Sequence, residues 1–299
     1  MIRLADSPRA AVAAPTADRL IDYYSEAGPD YAAWSPSFNM HFGYFDWSMN
    51  PFAREPMLRR MNTEVLGRLR PAGPYGRPLK LLDLGCGVGA TARTATRFFR
   101  NARVTGITKV PWQVRRAREL TSASQPACFL EGDYTASGLP ANSFDGAWAV
   151  ESACHARGDD KADLLAEAFR VLKPGAAFVV ADGFLKHAVP LRQPLLGLYR
   201  KMCDCWVMDE MAVIGKFTAR LAASGFADIR VEDASFRIAP SVLHVPWVSA
   251  SFLFDRLILK REKMTPHRWN NVWAPLLLLV IGLARRHFGY YIVTARKPV

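Results

Sequence analysis

The sequence predicts an α/β fold on a mostly parallel sheet with helices on both faces, and three observations carry that reading. Strand-like apolar runs alternate with helical stretches from Leu79 to Asp182, the pattern of parallel strands joined by crossover helices. A glycine-rich turn, Gly85-Cys86-Gly87-Val88-Gly89, follows the first of these strands. An apolar, aromatic span over 236–287 then separates the alternating region from a closing strand near 290–295. A segment so long and apolar is no plain loop and reads as a helical lid.

In chain order, residues 1–15 are alanine- and proline-rich and read as a flexible start. Residues 16–78 form a helical and aromatic cap. Thr16 or Asp18 can cap a helix through Glu26 that carries Tyr23 and Tyr24. The next segment puts seven aromatics into residues 31–47, broken by Pro36 and Gly43, which is too dense for an ordinary solvent loop. Met57, Met61, Val65 and Leu69 recur every four residues and give a helix over 52–70, with a glycine- and proline-rich connector over 71–78. Residues 79–235 form the α/β core. Its strands fall at 79–84, 103–108, 127–131, 146–150, 176–181 and 228–231. Helices fall at 91–99, 111–121, 159–172, where Lys173-Pro174-Gly175 stops the last, and 210–224, ended by Gly225. A proline-containing insert occupies 186–208, the lid 236–287, and the last core strand 288–299.

Half of the 299 residues are hydrophobic, which excludes a mostly disordered chain. Lysine and arginine count 39 against 27 acids, a net charge of +12. Such an excess suits nucleic acid, an anionic membrane surface or an acidic substrate. No nucleic-acid recognition motif accompanies the charge, so that partner is set aside. Arg93, Arg97, Arg100, Arg103, Lys109, Arg115, Arg116 and Arg118 have no acid between them; a solvated face is the ordinary reading, and contact with anionic lipid or a substrate diphosphate the functional one. Cys86, Cys128, Cys154, Cys203 and Cys205 are odd in number and lack paired Cys-x-x-Cys spacing, so no metal site is expected and a reducing compartment is. No apolar run reaches the ~20 residues of a membrane span; the nearest, 275–284, ends at Arg285 and Arg286. The start is too weak for a secretory signal. A cytoplasmic protein, at most peripheral to a membrane, is the expectation.

The run from Leu81 to Gly89 is the most informative stretch. An apolar strand delivers Asp83 and then Gly-x-Gly-x-Gly at the opening of a helix. Glycine permits a sharp turn and close approach of a ligand to the backbone, and an open parallel sheet binds ligands beyond the carboxyl ends of its strands. The dinucleotide fingerprint requires Gly-x-Gly-x-x-Gly and an acid about twenty residues on. Here the third glycine comes one residue early and the second strand ends in Gly106-Ile107-Thr108, without an acid. NAD and FAD are therefore disfavoured.

These features resemble the class I S-adenosylmethionine-dependent methyltransferases. Leu82 to Gly89 is similar to that family's first motif. Gly132-Asp133-Tyr134, Gly138-Leu139-Pro140, Ser143-Phe144-Asp145 and Phe169 to Ala176 are similar to the later ones, in order over about a hundred residues. Glu151-Ser152-Ala153-Cys154-His155-Ala156 resembles the sterol C-methyltransferases, and His41 to Asp46 with Thr294 to Pro298 resembles the tocopherol methyltransferases. Thr108 with Gln113 is similar to the pair that faces the cofactor ribose in cyclopropane-fatty-acid and mycolic-acid enzymes. Most class I members carry an acid where Thr108 stands.

The resemblance implies a Rossmann-like class I methyltransferase fold, with a seven-stranded, mostly parallel sheet whose last strand is antiparallel, and S-adenosylmethionine as cofactor. Asp83 would orient the glycine loop and the cofactor's amino-acid portion. Gly85, Cys86, Gly87 and Gly89 would approach it, and Gly132 belongs with Asp133 and Tyr134, the acid taking the adenine amino group and the tyrosine lying near the ring. Glu151 and His155, on one side of a helical turn, would sit at the mouth as a base or a cation-stabilising carboxylate; a buried acid–histidine pair that only holds the loop is the plain alternative. Tyr24, Phe38, His41, Tyr44, Trp247 and Trp273 would line a substrate pocket, or else be core. The implied reaction is methyl transfer to a lipophilic small molecule, with isoprenoid carbon preferred over oxygen or nitrogen of an aromatic or alkaloid-like metabolite. A catalytically silent binder of the same cofactor is the reading from another class.

Overall fold

Among the described residues the chain forms eight strands: β1 Leu79–Leu84, β2 Ala102–Thr108, β3 Ala127–Glu131, β4 Phe144–Val150, β5 Leu172–Leu185, β6 Ala212–Val213, β7 Ala227–Asp233 and β8 Phe288–Arg296. This computed structural model describes residues 17–71 and 77–299, so the expected flexible start over 1–15, the Thr16 cap and residues 72–76 of the connector lie outside the described residues. The strands form one sheet in the order β3-β2-β1-β4-β5-β8-β7, with the two-residue β6 beside the end of β5. Strands β1 to β6 pair in parallel, while β8 runs antiparallel to both β5 and β7. The seven expected strands are all present, and β6 is the addition.

The helices are α1 Ala17–Ala27, the single turn α2 Tyr31–Trp34, α3 Arg54–Leu69, α4 Ala90–Phe98, α5 Pro111–Leu120, α6 Ala162–Val171, α7 Leu195–Cys205, α8 Ile214–Ala223, α9 Ser235–Val242, α10 Val245–Leu253 and α11 Pro266–Gly282. Because strand side chains alternate across the sheet, β5 sends Phe178 and Val180 to one face and Ala177, Val179 and Ala181 to the other. The first face packs on Leu164, Leu165 and Ala168 of α6 and on Phe217 and Leu221 of α8. The second packs on α3, α4 and α5, where Met61, Val65 and Leu69 of α3 are fully buried together with Trp148 of β4. The four-residue spacing in α3 was therefore a core stripe.

Three local expectations are corrected. The helix before Lys173-Pro174-Gly175 does end there, at Val171, but it starts at Ala162 and the three residues belong to β5; the register with β4 shifts between Phe144 and Gly146, so the ladder does not need the N–H that Pro174 lacks. The helix expected over 210–224 begins only at Ile214, because Ala212–Val213 pair with Phe184 and Leu185. The most apolar long helix is not 275–284 but Ser235–Leu259, formed by α9, α10 and a π-helical end Phe254–Leu259. By length and composition alone it could cross a membrane, at mean hydropathy 1.4 over its apolar window. The scattered charges Arg237, Asp255 and Arg256 break its apolar letters without breaking the helix.

The cap and the lid clasp each other directly. Asp30, beside α2, receives Nε and Nη2 of Arg268 on α11 at 2.7 and 2.9 Å, and Tyr23 of α1 donates to Asn271 at 3.1 Å. The fork geometry makes the ion pair directional as well as strong, and the Asp30 side chain is only 5% exposed. Arg268→Ala strands that carboxylate and should lower stability by about 2–4 kcal/mol in urea titration, with Asp30→Asn restoring part of the loss in the double variant. Additive losses would mean that the pair is not coupled.

Candidate active site at the carboxyl ends of the strands

The glycine turn after β1 opens a cleft of about 380 Å³. Gly85 has φ +82° and its missing side chain is replaced by contact with Ser152, whose Cβ lies 2.4 Å from where a Cβ would stand. Ser152 in turn donates to Leu84 O at 2.6 Å and accepts, through its carbonyl, from Tyr134 Oη at 2.7 Å. These bonds bring the ends of β1, β4 and the loop after β3 together. Asp83, Gly85, Cys86, Gly87, Thr108, Gln113, Asp133 and Tyr134 all line the cleft.

Within it, Thr108 donates to Gln113 Oε1 at 2.6 Å, so the two residues expected to face a ribose bond to each other in the cleft wall. Asp133 is engaged on both oxygens, by Lys109 Nζ at 2.8 Å and by the Thr135 N–H and hydroxyl at 2.8 and 2.7 Å. Burial pushes against its charge, but Lys109 and Thr135 hold its pKa below the usual value. Lys109 also accounts for one cation of the basic run. Arg93 is buried on Val88 O and Ser37 O, and Arg118 donates to Phe129 O. Part of that run is thus structural.

Asp83 is buried, its Oδ2 has no hydrogen bond of normal geometry, and burial raises its pKa to about 7 against the opposing pull of the nearby Trp148 side chain and Ala92 backbone. An unpaired buried acid is costly, and a cationic amino group in the cleft would supply the missing donor. This orphaned oxygen, beside the open backbone of Gly85 and Gly87, fits the amino-acid end of S-adenosylmethionine. Gly89 and Gly132 do not line the cleft. A Cβ at Gly89 would lie 2.4 Å from the Phe129 ring and one at Gly132 3.2 Å from Ile107, so both serve packing behind the cleft.

A second cavity of about 420 Å³ lies between the sheet, the cap and the lid. It shares Tyr24, Met40, His41, Glu151 and His155 with the cofactor-side cleft, so these five residues form the junction. Glu151 follows β4 in a left-handed conformation, φ +46°. Its Oε1 accepts from the Phe42 N–H at 2.7 Å and the Tyr290 hydroxyl at 3.0 Å. Burial raises its pKa to about 8, with nearby Asp182 adding to the rise and the two hydrogen bonds opposing it. Glu151 and His155 do not pair, which corrects the one-face expectation: the backbone makes only a 3₁₀ turn over Ala153–His155. His155 Nε2 instead meets Tyr24 Oη at 3.1 Å, and burial lowers its pKa to about 4, so it is neutral.

Several expected pocket residues lie elsewhere. Tyr44 belongs to the core beside α3, with Arg237 over its ring. Trp247 and Trp273 are 75% and 50% exposed and line neither cavity, because the lid turns them outward. Phe38 lines the cofactor-side cleft, tilted against Trp112 and under Arg116. His41 reaches the junction but is held on both nitrogens, 2.9 Å from Phe42 O and 2.9 Å from Asn62 Oδ1, so it positions the aromatic loop. The sequence reading missed Asp182, Lys161 and Tyr290. Asp182 lines the apolar cavity, accepts from Cys154 N and Gly183 N, and is raised to about 6 by burial. An acid ending an apolar parallel strand was the available signal. Lys161 is fully buried on the carbonyls of Ala156 and Glu210 and fixes the loop that bears His155.

A family described as a methyltransferase domain matches residues 82–180. The chain is 36% identical over 171 residues to a 2-methyl-6-phytyl-1,4-hydroquinone methyltransferase of Synechocystis sp., a match covering 56% of this chain and 53% of that one. The chain thus spans about half the length of that relative. With the O-methyltransferase cnsE of Penicillium expansum it shares 34% identity over 207 residues, 68% of this chain and 70% of the other. The cyclopropane synthase MmaA2 of Mycobacterium tuberculosis superposes with a TM-score of 0.76 at 16% identity, over 96% of this chain and all of that one, which is a likeness of fold.

Asp83, Asp182 and Glu151 hold their protons more tightly than free carboxyls do, at about 7, about 6 and about 8. Their contribution to stability is complete below about pH 4 and is lost as pH rises through each value in turn. His155 acts oppositely, but only between about 4 and its ordinary 6.5. The unfolding midpoint should therefore fall between about pH 6.5 and pH 8.5, and Glu151→Gln should flatten the upper half of that fall. A midpoint that rises over this range contradicts the account.

Proposed function

We propose that this chain, which belongs to the class I S-adenosylmethionine-dependent methyltransferases of the sterol and tocopherol branch, methylates carbon of a lipophilic, isoprenoid-type alkene and holds the resulting cation against Glu151. One observation carries the proposal. Glu151 stands at the junction of the polar cleft and the apolar cavity, with Oε1 anchored twice and Oε2 without a hydrogen bond among the described residues. The phytyl-bearing hydroquinone in the name of the Synechocystis relative supports an isoprenoid acceptor.

When bound, S-adenosylmethionine supplies an electrophilic methyl on a positively charged sulfur. Asp83 and the backbone at Gly85 and Gly87 would hold its amino-acid end, Thr108 and Gln113 its ribose, and Asp133 and Tyr134 its adenine. The apolar cavity excludes water and aligns the acceptor, which can supply several kcal/mol. A cation within ~4–6 Å returns a raised carboxyl to its charged form. Glu151 would then stabilise a carbocation electrostatically and accept the proton that the cation loses. The rings of Tyr24 and Tyr31, which line the same cavity, would add ~0.5–2 kcal/mol each by facing that charge. His155 positions Tyr24 and stays neutral. Lys161, buried on carbonyls, has no part in proton transfer.

Transfer to oxygen or nitrogen of an aromatic or alkaloid-like acceptor is the second reading, favoured by the name of the Penicillium relative. It uses the same cofactor cleft and the same base but forms no carbon cation.

Calorimetry should show S-adenosylhomocysteine binding and no NAD binding, with Asp83→Ala weakening the former; the reverse preference would sink the cofactor assignment. Glu151→Gln keeps the shape and removes the charge, so turnover should drop by roughly a hundredfold or more. For the intact enzyme, kcat/KM should rise with pH toward a plateau set by Glu151, raised to about 8 in the free protein. Mass and NMR analysis of product made with labelled methyl decides the element, and a label found on oxygen or nitrogen refutes carbon methylation.

A further inference from the structure

The helix Ser235–Leu259 is apolar on the side that faces away from the protein. Phe236, Leu243, Trp247, Phe254 and Ile258 follow each other at intervals of seven and four residues and are 56–75% exposed. That spacing keeps them on one stripe of a helix with 3.6 residues per turn, running roughly 33 Å. The opposite side is bound to the body of the protein: Ser241, Val245 and Phe252 are buried, and the Gly43 N–H donates to Ser241 Oγ at 2.8 Å. A helix fastened along one side cannot cross a bilayer on its own. Its neighbour α11 extends the same kind of surface with Trp273, Val280 and Leu283, all exposed.

Cations frame this stripe. Over 235–287 lysine and arginine outnumber acids eight to two. Both acids are already paired, Asp255 with Arg256 and Lys260, and Glu262 with Arg256 and Arg268. Among the described residues Arg261 and Lys263 at one end, and Arg285 and Arg286 at the other, have no acid within 4 Å. Arg285 lies over the Phe236 ring at 3.5 Å, so charge and apolar surface are contiguous.

We infer that this face lies on an anionic bilayer, with the stripe sunk to the acyl boundary and the cations among the phosphates, and that the cavity opens into the lipid there. The second part rests on Phe236, Leu243 and Leu283, which are exposed yet also line the apolar cavity, so they form its outer rim. An acceptor dissolved in lipid would reach Glu151 without passing through water. A second copy of the chain is a poor occupant, because a two-fold contact would set this cationic frame against itself. An amphipathic surface combining exposed apolar side chains with unpaired cations is what interfacial binding requires. The inference concerns binding and stands whichever atom is methylated.

Flotation of the full-length protein with vesicles tests it directly. Vesicles of phosphatidylcholine with about one-third phosphatidylglycerol should carry the protein upward, and pure phosphatidylcholine or added salt should release it, since headgroup attraction is screened. Trp247→Ser with Ile258→Ser, neither of which lines a cavity, should weaken partitioning by about tenfold or more while melting temperature and S-adenosylhomocysteine affinity hold. Arg261→Gln with Lys263→Gln should weaken it roughly fivefold per charge on anionic vesicles only. Failure to float, or flotation indifferent to both pairs, overturns the inference. So does a dimer in sedimentation that Trp247→Ser splits into monomers, which would make a second copy the occupant.

Discussion

A buried carboxylate holds three distant parts of the chain to one point. Glu151 ends a core strand, Phe42 belongs to the aromatic loop of the cap, and Tyr290 to the last strand, yet all three meet in two hydrogen bonds on Oε1. A half-buried carboxyl that faces an apolar cavity needs such donors, because burying a polar group without them is costly. The same bonds set the shape of the junction between the polar cleft and the apolar cavity. Removing the cap from this point would open the junction to water and return Glu151 to an ordinary acid.

The aromatic loop gains its definition from that contact and from others along its length. Tyr44 N–H donates to Met57 O, Phe45 N–H to Arg237 O and Gly43 N–H to Ser241 Oγ, so consecutive residues bond to α3 and to the lid. A Cβ at Gly43 would lie 2.6 Å from Met57, which is why the chain can pass so close to α3 only there. Cap and lid thus enclose the cavity from two sides, and the Asp30–Arg268 fork fastens their outer ends. Most of the aromatic residues in these segments serve this enclosure, and only some face the cavity.

The site stores unfavourable electrostatics. Three carboxyls at the carboxyl ends of β1, β4 and β5 are raised by burial, and one oxygen of Asp83 has no partner. Burial disfavours the charged form of each, so they cost stability that apolar groups in the same places would not. Asp83 lines the polar cleft, Asp182 the apolar cavity and Glu151 both, in keeping with the rule that perturbed groups cluster where ligands bind and charge moves. A positive charge in the cleft would favour the ionised form of Asp83, and one at the junction that of Glu151, so binding and stability are linked through these carboxyls.

Local letters were sufficient for the α/β class, every main strand and the glycine turn, because each depends on contacts a few residues apart or on strand periodicity. The burial of α3 was legible for the same reason. Tertiary structure alone decided which aromatics face the cavity: Trp247 and Trp273 look like pocket residues by composition, but the lid's rotation on the body puts them outside. It also decided that Glu151 and His155 part company, because a left-handed residue and a 3₁₀ turn replaced the helix assumed from their spacing. Asp182 came beside Glu151 through the pairing of β4 with β5, and Tyr290 through that of β5 with β8, whose residues stand more than a hundred positions apart. Sequence periodicity reports which face a side chain takes within its own element. It carries no information on what another element, folded against it from far along the chain, brings to that face.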